Sequence, residues 1–302
     1  MQPDQVLIPV DREVSVHAWM YRPHGYHGPR PAITMAHGFA GLKYRGLAAF
    51  AERFAAAGFV VVVHDHRNFG LSGGVVRGDI DPWQQISDWR RVISYIETMQ
   101  DVDASRIGLW GTSYAGGHAL VLAATDSRLK AVVSQVPTIS GYEQSLRRVT
   151  AAARPALNEL FNEDERAQSR GEPPMTQLVV STDLTVRAAY RSQASIDFRD
   201  HFPIPDGVDH GEVVTLQSSR RAQMYEPGLW IPRIAPKPLL MVVGTRDETT
   251  PTDLALAAYE QAKEPKRLVM FEGGHYDGYL SAFETTCSAA LAWFSGHLNP
   301  TA

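Results

Sequence analysis

The sequence predicts an α/β fold: a mostly parallel sheet of about eight strands, helices on both faces, and an inserted helical cap. Three features predict it. Short apolar runs without polar alternation mark strands buried on both faces, which is the habit of parallel sheets. Helix-length amphipathic segments separate these runs, as crossover connections require. Residues 138–235 break the alternation, and so long an interval is not expected to be structureless.

Taken in chain order, residues 5–22 read as two edge strands in a hairpin. "PAITMAHG" (31–38) and "FVVVVHDHR" (59–67) read as buried strands joined by the helix 46–57, which stops at Gly58. The helix 82–100 leads to "RIGLWGTS" (106–113), and an alanine-rich helix follows at once over 113–124. "KAVVSQVP" (130–137) closes the first core segment. After the insertion, "KPLLMVVGTRD" (237–247) and "KRLVMFEGGH" (266–275) read as strands followed by helices 252–262 and 278–297. The expected core is therefore 1–137 plus 236–302, with 138–235 as the cap. Long stretches of the cap are helical in texture, with Pro/Gly breaks at 171–174 and 203–207.

Bulk properties exclude several classes. A chain of 302 residues with net charge −4 lacks the basic excess of a nucleic-acid-binding protein. Its N-terminus has neither the basic nor the apolar region of a signal peptide, and no apolar run is long enough to span a bilayer. A cytoplasmic location is the expectation. The single cysteine, Cys287, forbids an internal disulfide and reads as a small buried hydrophobe. No glycine fingerprint for a nucleotide follows a strand, so no cofactor is expected. The "HDH" at 64–66 lacks further spaced ligands, so no metal is expected either. A homodimer is left open.

Two serines lie in glycine frames. Ser72 in "FGLSGG" fits G-x-S-x-G to the letter, but no strand ends before it and no helix begins after it. Ser113 in "GTSYAGG" has Ala115 in place of the last glycine, yet it joins a strand directly to a helix. A nucleophile needs that setting, because the tight turn exposes the hydroxyl and the helix N-terminus offers free N–H groups. Ser113 is therefore the expected nucleophile. The chain order Ser–Asp–His then points to Asp247 (247 − 113 = 134 residues on) and His275 (275 − 247 = 28 further), each at the end of a later strand. Glu248 is the nearest competitor for the acid. The backbone N–H groups of Phe39, after the glycine of "AHGF", and Tyr114 are the expected oxyanion donors. His37 reads as a packing residue.

The motifs "HG" (37–38), "D-x-R-x-x-G-x-S" (65–72), "G-T-S-Y-A-G-G" (111–117), "G-T-R-D-x-x-x-P" (244–251) and "G-G-H" (273–275) together resemble the α/β-hydrolase superfamily. Within it the chain is similar to the dienelactone-hydrolase and X-Pro-dipeptidyl-peptidase-like group, which includes polyketide hydrolases and transferases. The likeness covers residues 5–137 and 236–298, and within the cap only "PGLWIPRIAPKPLL" (227–240). Asn68 departs from the glycine usual in such relatives. Serine at position 113 excludes the dehalogenase branch, which uses aspartate there.

The resemblance implies an α/β-hydrolase fold and a serine hydrolase that cleaves a small-molecule ester, thioester or lactone through an acyl-enzyme. An acyltransferase with the same triad is the second reading, and a non-catalytic ligand-binding protein the third. A dipeptidase is disfavoured, since such peptidases usually carry extra domains. The cap aromatics Trp230, Phe161, Tyr190 and Phe198 suggest an apolar pocket. Arg147, Arg148 and Arg154 read as a solvated helix face rather than as anion-steering groups.

Overall fold

A computed structural model describes residues 1–25 and 28–299; residues 26, 27 and 300–302 of the expected core segments lie outside it. The chain runs β1 (Asp4–Pro9), β2 (Ser15–Tyr21), β3 (Arg30–Ala36), α1 (Leu47–Ala56), β4 (Val60–His64), α2 (Pro82–Glu97), β5 (Val102–Thr112), α3 (Tyr114–Thr125) and β6 (Leu129–Gln135). It continues through α4 (Gly141–Arg148), α5 (Arg154–Ser169), β7 (Thr176–Val180), β8 (Ala188–Tyr190), α6 (Gln193–His201), β9 (Val213–Thr215) and α7 (Leu216–Gln223). A 3-10 turn over Pro227–Arg233 precedes β10 (Leu239–Gly244), α8 (Thr252–Glu260), β11 (Lys266–Phe271) and α9 (Phe283–Leu298).

Eight strands form one sheet in the order β1-β2-β4-β3-β5-β6-β10-β11. All neighbours are parallel except β1–β2 and β2–β4. β2 is thus an interior strand, not the edge strand expected from the hairpin, because its second side pairs with β4. The apolar runs divide their side chains between two cores. Val60 and Val62 of β4 join the layer of α2 and α3, whereas Val61 and Val63 join the layer of α1 and α9. This two-sided burial is why the strand reads as continuous valine. Each such valine contributes about 1.5–3 kcal/mol relative to an exposed one. Helix starts follow local chemistry: Asp81 accepts from the N–H of Trp83 (2.9 Å) and Gln84 (3.2 Å), with Pro82 in the first turn.

The elements between β6 and β10 do not join the large sheet. Their helices are accompanied by a small sheet, β8-β7-β9, that sequence patterning did not announce. Three-residue β8 and β9 are too short to carry a period, and β8 lies inside a segment that reads as helical.

The loops after β3 and β4 are locked together below the surface. Lys43 and Asp65, both fully buried, form an ion pair, and the Lys43 N–H also donates to Asp65 Oδ1 (2.7 Å). The Lys43 ammonium lies 4.7 Å from the Tyr44 ring and 5.2 Å from that of Trp19. Burial pushes the lysine down and the aspartate up, and their mutual attraction opposes both shifts. Next to this pair, Arg67 binds Asp88 (2.6 Å) and Asp11 (2.9 Å). Asn68 occupies the left-handed region (φ 69°), a conformation that asparagine tolerates in place of glycine. His64 and His66 pack edge-on at 5.2 Å in the core, and burial holds them neutral. Among the described residues, no group of three or more His, Cys, Asp or Glu side chains is placed to hold a metal ion. No described helix is long and apolar enough to cross a membrane.

Lys43→Met leaves a buried carboxylate without its partner and is expected to cost about 3–5 kcal/mol in urea unfolding. Adding Asp65→Leu recovers part of that loss. An unchanged midpoint in the single variant would refute the role of the pair.

Candidate active site

The turn between β5 and α3 puts Ser113 in a strained conformation. Its φ is 58° and ψ −118°, which L-residues seldom adopt; such a state costs about 1–3 kcal/mol and persists only when its surroundings impose it. Here they do. Ser113 N–H donates to the Gln135 carbonyl (2.9 Å), and the Ser113 carbonyl accepts from Thr138 N–H (2.9 Å) and Gly117 N–H (3.2 Å). Gly111 permits the sharp return of the chain, since a Cβ there would lie 2.2 Å from the Ala115 carbonyl oxygen. The close approach predicted from the glycine frame therefore falls at Gly111, and Ala115 is simply buried in the core.

Three predicted residues meet at the C-terminal edge of the sheet. His275 Nε2 lies 3.0 Å from Ser113 Oγ, and His275 Nδ1 lies 2.7 Å from Asp247 Oδ2. The carboxylate on Nδ1 favours a proton there and leaves Nε2 free to accept from the serine. Asp247 is itself held by the N–H groups of Thr249 and Thr250, both 2.8 Å from Oδ1. Burial would raise the Asp247 carboxyl, but the His275 charge, its hydrogen bond and the Thr250 donors outweigh this and hold it below the usual range. Glu248 points to solvent. Thr250 was not singled out by sequence: its hydroxyl lies 2.9 Å from both Asp247 Oδ2 and the Val136 carbonyl, and 3.2 Å from His275 Nδ1. The "D-E-T-T" turn after β10 was its only sequence signal.

The loop after β3 lies against the serine. A Cβ on Gly38 would sit 2.6 Å from Ser113 Cβ and 3.0 Å from Tyr114 N, so only glycine permits this contact. Tyr114 opens α3, where the first N–H groups have no partner within the helix. Phe39 follows Gly38, and its ring meets those of Tyr114 (5.5 Å) and Tyr190 (5.6 Å) edge-on. His37 is structural in its contacts. It stacks on Tyr279, accepts from Gly38 N–H (2.8 Å) through Nδ1, and bonds the Arg45 carbonyl (3.1 Å) through Nε2. Burial, with the nearby Arg45 charge, pushes it down to about 3, so it stays neutral.

Ser113 and His275 open into a cavity of about 50 Å³ shared with Phe39, Arg45, Val179, Val180, Tyr190, Phe198, Arg199 and Tyr276. Phe39 and Tyr190 also border a second cavity, lined by Tyr114, Val149, Leu157 and Ala222. Of the four aromatics Trp230, Phe161, Tyr190 and Phe198, Tyr190 and Phe198 line the cavity that holds Ser113 and His275. Phe161 is buried within the cap, and Trp230 packs against the main core beside Arg233.

The cap arginines are bonded rather than merely solvated. Arg147 makes a two-pronged pair with Asp253 of α8 (2.7 Å each), and Arg148 donates to the Thr249 carbonyl while lying over Tyr190. Ser72 is far from free. It is buried, donates to the Asp65 carbonyl (2.8 Å) and accepts from His17 N–H (2.8 Å).

Residues 11–277 match the X-Pro dipeptidyl-peptidase (S15) family. The chain is 31% identical to the quorum-quenching protein AidA of Acinetobacter baumannii (strain MDR-ZJ06), over 90% of this chain and 88% of that one. It is 27% identical to the thiohydrolase aneE of Aspergillus aculeatus (86% and 84% covered), and 27% identical to the polyketide transferase grgF of Penicillium sp (94% and 93%). The crystal structure of the α/β hydrolase GrgF from Penicillium sp. sh18 superposes with a TM-score of 0.84 at 24% identity, covering 99% of this chain and all of that one.

A fluorophosphonate probe is expected to label Ser113 alone, as read by peptide mapping of the adduct. Labelling of Ser72 with Ser113 unmodified would contradict the geometry.

Proposed function

The chain belongs to the X-Pro dipeptidyl-peptidase (S15) family and has the α/β-hydrolase fold, and from that premise we propose that it hydrolyses a small-molecule ester, thioester or lactone by way of an acyl-Ser113 intermediate. The observation that carries this reading is the continuous Ser113–His275–Asp247 hydrogen-bond chain beside the strained turn.

Ser113 Oγ attacks the carbonyl carbon as its proton passes to His275 Nε2, and Asp247 stabilises the imidazolium. The N–H groups of Phe39 and Tyr114 receive the oxyanion. Collapse breaks the bond to the leaving group, which takes the proton from His275. Water then repeats the sequence in the second half and releases the acid and Ser113. An alcohol in place of water makes the same site an acyltransferase. The relative named polyketide transferase supports that second reading, and the one named thiohydrolase supports the first.

A dipeptidyl-peptidase activity is poorly matched to the cavity. Such an enzyme must recognise a protonated N-terminal amine, yet the described lining includes two arginines and no carboxylate. Residues 138–235 act in this reading as the cap that sets substrate choice, since Tyr190 of the cap borders both cavities.

Ser113→Ala and His275→Ala are each expected to lower kcat on a p-nitrophenyl ester by about 10⁴-fold or more, and Asp247→Asn by a comparable factor. Glu248→Gln stays near wild type. Severe loss in Glu248→Gln with activity retained in Asp247→Asn would move the acid by one residue. Supplying an alcohol acceptor and measuring the ester-to-acid product ratio separates transfer from hydrolysis.

A second outcome concerns chain length. Tyr190→Ala joins the two cavities, so kcat/KM for octanoate over acetate esters is expected to rise about ten-fold or more. An unchanged ratio would remove Tyr190 as the divider.

A further inference from the structure

Arg45 and Arg199 are not explained by the chemistry above. We propose that they form a subsite for a carboxylate carried by the substrate, beside the reacting serine; this deepens the hydrolase reading and rests on it.

Arg45 comes from the core, in the loop after β3, and Arg199 comes from the cap helix α6. Both line the cavity that holds Ser113 and His275. Arg45 is only 3% exposed. Its Nη2 donates to the His210 carbonyl (3.2 Å), while Nε and Nη1 find no acceptor among the described residues. Arg199 reaches the same segment from the other side and donates to the Gly211 carbonyl (3.1 Å). Neither guanidinium has a carboxylate partner among the described ion pairs, and the neighbouring Glu212 is set against His210 at 3.9 Å.

A buried cation without an anion is costly, and a second cation beside it adds to the cost. Burial and the Arg199 charge push Arg45 down to about 9, while Glu212, Tyr276 and Asp200 oppose the shift; the group stays charged at neutral pH. An arriving anion removes this penalty. Carbonyl partners at 210–211 satisfy single N–H groups, while Glu212 and Asp200 act on the charge without forming an ion pair with either arginine.

The geometry favours a carboxylate. The guanidinium fork matches two coplanar oxygens. The same two arginines also border an outer cleft, whose rim carries Asp183, Asp200 and Glu212 beside Ser181, Ile196 and Ile204.

Two pairs of esters test the proposal with the full-length protein. 4-Nitrophenyl hemiglutarate against 4-nitrophenyl pentanoate puts the charge on the acyl side. 3-Carboxyphenyl butanoate against phenyl butanoate puts it on the leaving side. In one pair the carboxylate ester is expected to have a kcat/KM at least ten-fold higher, with an advantage that shrinks as salt is added. Arg199→Gln, a half-buried position, and Arg45→Gln should each cut that ratio about ten-fold, chiefly through KM. Calorimetric binding of glutarate to the Ser113→Ala protein reads the subsite without turnover, and it should be lost on adding Arg199→Gln. If none of the esters turns over, the hydrolase reading fails and glutarate binding alone decides the subsite. No carboxylate preference in either pair together with no glutarate binding overturns the proposal. So does an Arg199→Gln variant that slows both members of a pair equally and melts earlier, which would make the arginines a clasp for residues 210–211.

Discussion

Much of the site depends on one backbone constraint, the positive φ of Ser113 between β5 and α3. A residue in that state relaxes unless it is held, and the parallel neighbour β6 and the turn after it do the holding through Gln135 and Thr138. β6 can do so only because β5 and β6 are adjacent and parallel, so both end at the same edge. That same edge receives the turns after β10 and β11, which bring Asp247 and His275 to the serine. The Ser113–His275–Asp247 geometry is thus a consequence of strand order, and the strain at Ser113 is supported by the stability of the whole sheet.

Around this point, charge organises what apolar packing cannot. The loop after β3 must deliver Gly38 and Phe39 to the serine, and the buried Lys43–Asp65 pair ties it to the loop after β4. Cap and core are joined by further cations: Arg147 to Asp253, Arg148 to the Thr249 carbonyl beside the acid, and Arg45 with Arg199 around His210 and Gly211. Some of these contacts connect the cap to the same turn that holds Asp247. Arg148 thus ties residues 138–235 to the backbone two residues from Asp247.

The two serines show why context outweighs pattern. Ser72 matches the motif to the letter, yet its hydroxyl is spent bridging the backbone of β2 to that of Asp65. Ser113 departs from the motif at Ala115, but the strand–turn–helix setting is intact. What the turn requires is room for the returning chain, and Gly111 provides it.

The sequence by itself determined the sheet, its helices, and the meeting of Ser113, Asp247 and His275, because each rests on short-range signals: buried runs, a helix start, and residues at strand ends. It also carried Phe39 and Tyr114 as neighbours of the nucleophile. Tertiary structure alone decided the rest. Thr250 matters only because β10 and β6 are neighbours, which brings the Val136 carbonyl within 2.9 Å of its hydroxyl. β8 and β9 are three-residue strands that exist through pairing with β7. Trp230, an aromatic of the same segment, packs against the core, whereas Tyr190 borders two cavities. Arg45 and Arg199 are 154 residues apart (199 − 45) and share no pattern. Local periodicity reports which face of an element is buried, but not which distant side chains will share one cavity; that depends on how residues 138–235 pack against the sheet.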